Sequence, residues 1–413
     1  MTVTESHAAT PGVRRRVLIG AYACGPVEES EASAGWAFAT AAAQRHNVTV
    51  ITRTRFREAV EAARAEDPVL SERMTVVYVD PARWIMRLRQ KLPGALYWFY
   101  PLWQGHLLRE ARRQHTSQPF DVAHHVTFAN DWLRCGLAAL DGVPFVWGPV
   151  GGASKVPYLR LRRWLGLRGT VTEAARDALT ALPRAIWGDR AARRAALVVA
   201  QNPDVARRFA RRARTVVEPN AAMERSILPE RRAVVRDRPV AVFAGRLLAW
   251  KGGRLAIEAI AQPSASDWLL DVYGEGYELA ALRRLAADRG VADRVRFLGR
   301  VSRGQVLDAF ADADAMLFPS MHDQAGWVAA EASTLGLPVV CLPLGGPATL
   351  ADRNAFVADV EGDIPAQLAE QLVAARAAGG TPHDRWSSDR LPDLVSRWYE
   401  EAIASREHSG ENR

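Results

Sequence analysis

The stretch from Asp314 to Cys341 decides the fold of this chain. It reads Asp314-Ala-Met-Leu-Phe-Pro-Ser320, then Asp323-Gln-Ala-Gly-Trp-Val-Ala-Ala-Glu331, then Leu337-Pro-Val-Val-Cys341. The first and last pieces are short apolar runs typical of buried strands. Gly326 is expected to turn the chain into a helix, because glycine adopts a positive φ without strain. The pattern predicts a strand–loop–helix–strand unit with Asp323 in the loop and Glu331 inside the helix.

This unit carries the residue types of a ligand site. Loop N–H groups and a helix N-terminus attract negatively charged or hydroxyl-rich ligands. An ionised carboxylate accepts hydrogen bonds and donates none, which suits sugar hydroxyls. Spacing alone fits a solvated Asp323 and an exposed helical Glu331 equally well.

Length and composition restrict the class of protein that this sequence can form. A length of 413 residues predicts at least two domains. The three cysteines are scattered without a CxxC motif, which argues against zinc and disulfides and favours a reducing, cytoplasmic compartment. No run of 18 apolar residues suggests a membrane span. Residues 1–13 are expected to form a flexible tail before the first strand.

Strands and helices alternate in two separate regions. The first region has a strand at Val17–Tyr22, a loop over Ala23–Ser33, a helix at Ala37–Arg45 and a strand at Val48–Thr52; the second begins with a strand at Val240–Ala244. Such alternation predicts doubly wound parallel sheets. The expected organisation is a first domain over 14–222, a linker over 223–238, a second domain over 239–383 and a C-terminal helix over 384–405 that returns to the first domain.

Positive charge is concentrated in the first half, which carries about +13 up to residue 220, while the remainder carries about −5. No nucleic-acid-binding signature accompanies this charge, so nucleic acid is not an expected partner. Residues 81–116 interleave aromatic and basic residues, and residues 155–170 hold five cations without an acid. These basic aromatic segments fit peripheral contact with an anionic membrane. An ordinary packed helix pair and a solvated face fit them as well.

Two loops of the first half are candidates for a cleft. His124 and His125 follow a predicted strand and point to opposite faces, so one could face a ligand and either could be held in the core. Gly148-Pro-Val-Gly151-Gly152 follows the next strand and allows close backbone approach to a bound group. Gly35 lies near a helix start, where a plain turn explains it equally well.

The second half is predicted to bring charged residues of both signs to one edge of its sheet. Gly245, Arg246 and Lys251 follow its first strand, while Asp323 and Glu331 follow a later one. Loops after parallel strands gather at the carboxyl edge of the sheet. Arg and Lys suit a diphosphate and carboxylates suit sugar hydroxyls, so the set fits a nucleotide sugar.

These motifs carry a resemblance. Gly245-Arg-Leu-Leu-Ala-Trp-Lys251-Gly252, Tyr273-Gly-Glu-Gly276, Phe297-Leu-Gly299 and Asp323…Glu331-Ala-Ser-Thr-Leu-Gly-Leu-Pro-Val-Val340 resemble glycosyltransferase family 4, whose members are retaining enzymes. The second half matches strongly and the first half loosely. The resemblance implies the GT-B fold, an α/β architecture of two Rossmann-like doubly wound domains facing a cleft.

The resemblance also implies residue roles. Arg246 and Lys251 would bind the donor diphosphate, Glu331 the ribose, and Asp323 with the N–H groups of Ala325 and Gly326 the donor sugar. The remaining implied donor-side positions are Gly35, Gly245, Gly274, Arg300 and Val301, with His124, His125, Gly151 and Gly152 on the acceptor side. No metal or cofactor is expected beyond the nucleoside-diphosphate sugar, which is the donor substrate.

Two features depart from the family pattern. The first carboxylate is usually Glu, and here it is Asp323, one methylene shorter. Many members carry two histidines separated by one residue, whereas His124 and His125 are adjacent.

The sequence therefore predicts a retaining, hexosyltransferase-type enzyme that moves a sugar to an acceptor hydroxyl on a lipid, polysaccharide or small natural product. Two alternatives stay open at this point. One is a non-hydrolysing nucleotide-sugar epimerase of the same architecture, and the other is a non-catalytic membrane-surface binding protein.

Overall fold

The computed structural model of the chain describes residues 13–92, 94–232 and 234–410. The predicted tail, residues 1–13, lies outside these ranges except for Val13. The described residues form two parallel β-sheets, each flanked by helices. The predicted two-domain α/β architecture is confirmed.

The first sheet has seven strands in the order β3-β2-β1-β4-β5-β6-β7. The strands are β1 Arg16–Gly20, β2 Asn47–Thr52, β3 Met74–Tyr78, β4 Val122–His125, β5 Phe145–Val150, β6 Leu197–Ala200 and β7 Thr215–Val217. The strand order reverses between β1 and β4, and ligands of open α/β sheets bind at such a switch point.

The second sheet has six strands in the order β10-β9-β8-β11-β12-β13, with its reversal between β8 and β11. The strands are β8 Val240–Ala244, β9 Leu269–Tyr273, β10 Val295–Gly299, β11 Ala315–Phe318, β12 Val339–Cys341 and β13 Ala355–Val357. The two segments predicted to form the donor site, which follow β8 and β11, therefore lie side by side.

Fifteen α-helices lie in the described residues. They are α1 Ser30–Arg45, α2 Arg57–Glu66, α3 Pro68–Arg73, α4 Arg83–Lys91, α5 Ala95–Ser117, α6 Arg162–Pro183, α7 Asp189–Arg194, α8 Pro203–Phe209, α9 Gly253–Ile260, α10 Leu279–Asp288, α11 Arg303–Asp312, α12 Trp327–Thr334, α13 Pro347–Ala351, α14 Ile364–Ala378 and α15 Leu391–Gly410.

Helix α1 corrects the predicted boundaries. It begins at Ser30, seven residues before the predicted start at Ala37, so the loop after β1 is shorter than expected. Alanines buried along α1, from Ala32 to Ala43, let the helix pack closely on the sheet. The early start places Glu31 in the first turn, beside the carboxyl end of β1.

The C-terminal helix α15 packs on the first domain. Its Trp398 ring stacks on Phe38 of α1 at 6.1 Å between centroids, and Arg15 forms a 2.7 Å ion pair with Glu400. Leu391, Val395 and Tyr399 complete the buried face of α15. Apolar residues at helical spacing thus attach the chain's last helix to its first sheet.

Helix α6 divides the basic segment 155–170 between core and surface. The segment's five cations are exposed, as expected for a solvated face, and lipid contact stays a prediction. Although this segment precedes β6 in sequence, Leu161, Trp164 and Leu165 are buried in the core of the second domain. The Trp164 indole N–H donates a 2.7 Å hydrogen bond to Glu258 of α9. One side of the basic segment is therefore an interdomain contact.

The aromatic segment 81–116 divides between core and surface. Phe99, Tyr100 and Trp103 are fully buried against the first sheet, whereas Trp84 and Tyr97 are exposed. The packed-helix interpretation holds for the buried residues, and membrane contact through the exposed ones stays a prediction.

Candidate functional site

A cavity of about 490 Å³ lies where residues of the two domains meet. Ser30 and Glu31 of α1 line it from the first domain, and Lys251, Arg303, Asp323 and Glu331 line it from the second. Segments that follow the switch-point strands of both sheets contribute to it. This is the position where doubly wound sheets bind ligands.

Lys251 and Asp323 form an ion pair in this cavity. Lys251 ends a single helical turn that follows β8, and Gly252 then takes a positive φ of 82° and leads into α9. The Lys251 ammonium also lies 5.7 Å from the ring centroid of Phe318, at the end of β11. The structure thus brings together a cation and a carboxylate that are 72 positions apart.

Glu331 forms a second ion pair, in which Nε of Arg303 donates to Oε1 at 2.6 Å. Burial raises the pKa of the Glu331 carboxyl, and the charge of Arg303 opposes the rise. Sequence reasoning missed Arg303. The available signal was Ser302-Arg-Gly-Gln305, a capping box that begins α11 directly after β10 and places Arg303 in its first turn.

The loop before α12 presents unused hydrogen-bond donors. Gly326 has a φ of 81° and precedes the first residue of α12, as predicted for a turn into the helix. Among the residues that the structure describes, the N–H groups of Ala325 and Gly326 have no hydrogen-bond acceptor within the chain. They face a site where an anion or a hydroxyl oxygen can accept.

A glycine pair after β12 holds this loop in place. The N–H of Gly346 donates a 2.9 Å hydrogen bond to the carbonyl of Asp323. A Cβ at Gly345 would lie 1.9 Å from that same carbonyl oxygen, so only glycine permits the approach. The Gly345-Gly346 pair therefore positions Asp323.

The other residues predicted on the donor side differ in whether they line the cavity. Gly245 lines it and Gly274 packs against the Gly245 carbonyl, whereas the guanidinium of Arg246 is exposed and forms no ion pair within the described ranges. Arg300 and Val301 follow β10 and do not line the cavity.

Glu31 is a carboxylate that sequence reasoning did not select. Its Oε2 accepts a 2.8 Å hydrogen bond from the N–H of Phe128, a residue held at a φ of 52° after β4. Burial raises the pKa of the Glu31 carboxyl, and the Phe128 hydrogen bond lowers it. Unlike Asp323 and Glu331, Glu31 forms no ion pair in the described part of the chain.

Gly35 does not line the cavity. It lies in the second turn of α1, where an added Cβ would be 2.3 Å from the Ala23 carbonyl oxygen and 2.7 Å from Thr127. Its place in the fold is a close helix–loop contact, which corrects its expected position beside the phosphates.

The expected position of His124 and His125 on the acceptor side is also corrected, because both side chains are buried and neither lines the cavity. His124 hydrogen-bonds to the Tyr399 hydroxyl at 3.0 Å and to the Gly148 carbonyl at 2.8 Å. His125 hydrogen-bonds to the Tyr100 hydroxyl at 3.2 Å. Burial lowers the pKa of His124 to about 4 and that of His125 to about 3. The alternative interpretation, histidines held in the core, describes their position.

Gly151 and Gly152 lie at the domain boundary. The N–H of Gly152 donates to Oε1 of Gln324 at 2.7 Å, and Gly151 leaves room for the side chains of Gln201 and Gln324. Asn202 also donates to the Gln324 carbonyl at 2.8 Å. These glycines therefore face the loop that carries Asp323.

Residues 13–92, 94–232 and 234–410 contain neither a metal-binding cluster nor a helix suited to span a membrane. No group of three or more His, Cys, Asp or Glu side chains is arranged to hold a metal ion there. None of the helices in those ranges combines the length and the apolarity that crossing a bilayer requires.

Solved structures establish the fold class. Sucrose-phosphate synthase from Thermosynechococcus elongatus aligns over 95% of this chain and 100% of its own, with a TM-score of 0.57 and 15% identity. Anabaena HepE in complex with UDP-glucose aligns over 94% of this chain and 100% of its own, with a TM-score of 0.53 and 15% identity. The chain has the GT-B fold.

Parts of the chain are similar in sequence to known glycosyltransferases. Residues 225–373 match a family model described as "Glycosyl transferases group 1". A 2-deoxystreptamine glucosyltransferase from Streptomyces kanamyceticus is 32% identical over 134 residues, which cover 32% of this chain and 34% of that protein. A D-inositol 3-phosphate glycosyltransferase from Xylanimonas cellulosilytica is 33% identical over 182 residues, which cover 43% of each.

Residues 225–373 thus match the model of the group 1 glycosyl transferases, which agrees with the family resemblance drawn from the sequence. The alignments span less than half the length of these two curated relatives.

Proposed function

We propose that this protein is a retaining glycosyltransferase that moves a sugar from a nucleoside-diphosphate sugar to an acceptor hydroxyl. The proposal is carried by two ion pairs, Lys251–Asp323 and Arg303–Glu331. Both lie in one cavity at the switch point of the second sheet. Cations and carboxylates together match the two halves of a nucleotide sugar.

The donor diphosphate takes Lys251 as its main cation. Lys251 forms an ion pair with Asp323, and in this proposal a donor phosphate replaces Asp323 as the anionic partner of the Lys251 ammonium. Asp323 is then available to accept hydrogen bonds from the donor sugar. Glu331, oriented by Arg303, accepts from the ribose hydroxyls.

Arg246 completes the phosphate site by moving into it. Its guanidinium is exposed, lies next to the cavity-lining Gly245 and has no competing ion pair among the described residues. A planar guanidinium makes a forked contact with phosphate oxygens. Arg246 and Lys251 then stabilise the negative charge that develops on the departing diphosphate.

Transfer proceeds on one face of the sugar. The bond between the anomeric carbon and the diphosphate oxygen breaks, and the acceptor oxygen bonds to the same face of that carbon. The acceptor's proton passes to the departing phosphate oxygen. In this scheme Glu331 stays ion-paired with Arg303 and Asp323 accepts hydrogen bonds from the donor sugar, which disfavours either as a covalent nucleophile and supports retention through front-face attack. No cofactor takes part in this proposal.

Glu31 is the acceptor-side carboxylate in this scheme. It projects from the first domain, opposite the donor-binding segments, and carries no ion pair among the described residues. A carboxylate without a cation is a strong acceptor for a hydroxyl hydrogen bond. The names of two relatives, a 2-deoxystreptamine glucosyltransferase and a D-inositol 3-phosphate glycosyltransferase, support a polyhydroxylated acceptor.

The test begins with thermal protection by a panel of nucleoside-diphosphate sugars, including UDP-glucose. The most protective donor is then incubated with 2-deoxystreptamine, with inositol 3-phosphate and without acceptor, and release of nucleoside diphosphate is measured. We expect Lys251→Ala and Arg246→Ala to lose at least about 100-fold in turnover, consistent with the loss of a leaving-group contact. Arg284→Ala, an exposed cation on α10, is the matched control.

Normal turnover in either site variant would refute the assigned donor site. Conversion of the free donor to an epimer without acceptor would replace the transferase proposal with the epimerase alternative.

A further inference from the structure

Helix α4 has an unusual surface for a helix of a soluble domain, because none of its residues is buried. Trp84, Leu88 and Leu92 recur every four positions along it, and Trp84 is 66% exposed. Arg83, Arg87 and Lys91 form a parallel stripe one position earlier. Residues four apart lie on the same helix face, so an apolar stripe and a cationic stripe lie side by side.

The charge around α4 has a single sign. From residue 81 to residue 109 the chain contains five Lys or Arg residues and no Asp or Glu. A surface that combines tryptophan, leucine and unopposed cations fits the boundary of an anionic bilayer, where apolar side chains enter and cations meet headgroups. An ordinary solvated helix would carry acids among its bases.

Helix α6 adds a second exposed apolar stripe. One of its sides is buried against the second domain, but Leu167, Val171, Leu179 and Leu182 are exposed, and Ile186 continues the stripe just after the helix. Leu167 is 84% exposed and Leu182 is 68% exposed. Cations bracket the stripe, with Arg162 and Arg163 before it and Arg190 and Arg193 after it.

One loop connects the two stripes in space. Tyr97, at the start of α5, stacks on Trp132 with ring centroids 5.5 Å apart. The neighbouring Asp131 accepts a 3.3 Å hydrogen bond from Arg184, at the end of α6. The start of α5 and the end of α6 therefore contact adjacent residues, Trp132 and Asp131, of one loop.

We propose that this surface, made of the exposed faces of α4 and α6, docks the protein on an anionic lipid bilayer. The loop that joins the two stripes follows β4, at the sheet edge where Phe128 contacts Glu31, so the docked face borders the cleft. If the proposed sugar transfer holds, docking places the cleft within reach of an acceptor hydroxyl carried by a membrane lipid.

The test is co-sedimentation of the full chain with vesicles of phosphatidylcholine alone and with 30% phosphatidylglycerol. We expect binding only to the anionic vesicles, weakened by raising the salt from 0.1 to 0.5 M because exposed charges are screened. Arg83→Gln/Arg87→Gln should lower the partition coefficient at least about tenfold. Leu179→Ser/Leu182→Ser should lower it by about fivefold or more.

The matched control is Arg283→Gln/Arg284→Gln, which removes two exposed cations of the second domain. An equal loss of binding in this control would show general electrostatic attraction and overturn the proposal, as would no binding of the wild type to anionic vesicles. A wild-type dimer that Leu179→Ser/Leu182→Ser converts to a monomer, without vesicle binding, would reassign the surface to self-association.

Circular dichroism and the thermal midpoint identify variants that fail to fold. Vesicle binding requires no turnover, so a chain that binds vesicles but transfers no sugar would refute the proposed function and support the docking surface.

Discussion

The backbone N–H of Gly152, in the first domain, donates a 2.7 Å hydrogen bond to Oε1 of Gln324, in the second. Asn202 of the first domain also donates to the Gln324 carbonyl, at 2.8 Å. Gln324 lies between Asp323 and Ala325, the residues assigned to the donor sugar. The segment proposed to bind the sugar is therefore also a contact that joins the domains, and the proposed donor site predicts that donor binding and domain approach are coupled.

Replacing Gln324 by Ala tests this coupling. The variant loses the hydrogen bond to Gly152 and a 3.2 Å hydrogen bond to Nε2 of His322, and it keeps the carbonyl that Asn202 contacts. A hydrogen bond contributes about 0.5–1.5 kcal/mol net, so we expect donor affinity to fall about two- to tenfold. Calorimetric titration with the most protective nucleotide sugar measures it. Gln90→Ala, an exposed side chain on α4, is the control, and unchanged affinity in Gln324→Ala would show that the contact is incidental.

Replacing Glu31 by Gln separates the acceptor side from the donor side. Glutamine keeps an oxygen for the Phe128 N–H but removes the charge that would hold the acceptor hydroxyl. We expect kcat/KM for the acceptor to fall about 10- to 100-fold while donor affinity stays within about twofold. Glu28→Gln, an exposed carboxylate just before α1, serves as the control. A matching loss of donor affinity would assign Glu31 to the donor instead.

Replacing Trp164 tests whether packing of α6 stabilises the second domain. Trp164→Ala removes a buried indole from that core together with its 2.7 Å hydrogen bond to Glu258. Such truncations typically cost about 3–5 kcal/mol. We expect the second domain's unfolding transition in urea to move to lower concentration, with Leu159→Ala, an exposed neighbour, unchanged. A shift confined to the first domain's transition would contradict the assignment.

The buried histidines predict loss of stability in mild acid. The pKa of His125 falls from 6.5 to about 3 on folding, so below pH 6.5 the unfolded chain binds a proton that the folded chain excludes. This contribution is therefore fully present above pH 6.5 and declines as the pH falls toward about 3. At pH 5 His125 alone should destabilise the fold by about 2 kcal/mol.

Denaturation at several pH values checks this prediction. Between pH 6.5 and 5, the unfolding free energy of the wild type should fall more steeply with decreasing pH than that of His125→Gln. The difference between the two slopes should correspond to about one bound proton. Equal slopes in the two proteins would mean that His125 is protonated in the folded state.

Much of the site was accessible from the sequence, for a physical reason. Lys251, Asp323 and Glu331 each follow a strand of one parallel sheet, and the carboxyl ends of such strands share an edge, so their convergence needed only the strand assignments. Gly326 was predictable in the same way, because its positive φ at a helix start demands glycine.

Arg303 and Glu31 were harder to find. Arg303 required recognising the capping box at Ser302, and Glu31 required knowing that α1 starts at Ser30 and not at Ala37. An error of two turns in a helix boundary removed Glu31 from the predicted site. Helix ends depend on capping contacts that periodicity does not show.

The sequence by itself determined the two alternating α/β regions, the strand-end positions of the residues proposed to bind the donor, and the family resemblance, because strand periodicity and loop chemistry are local. Tertiary structure alone decided that His124 and His125 are buried, that α6 joins the second domain's core, and that Gln324 meets Gly152. Those outcomes depend on which surfaces meet between segments distant in sequence, and no local pattern encodes that pairing.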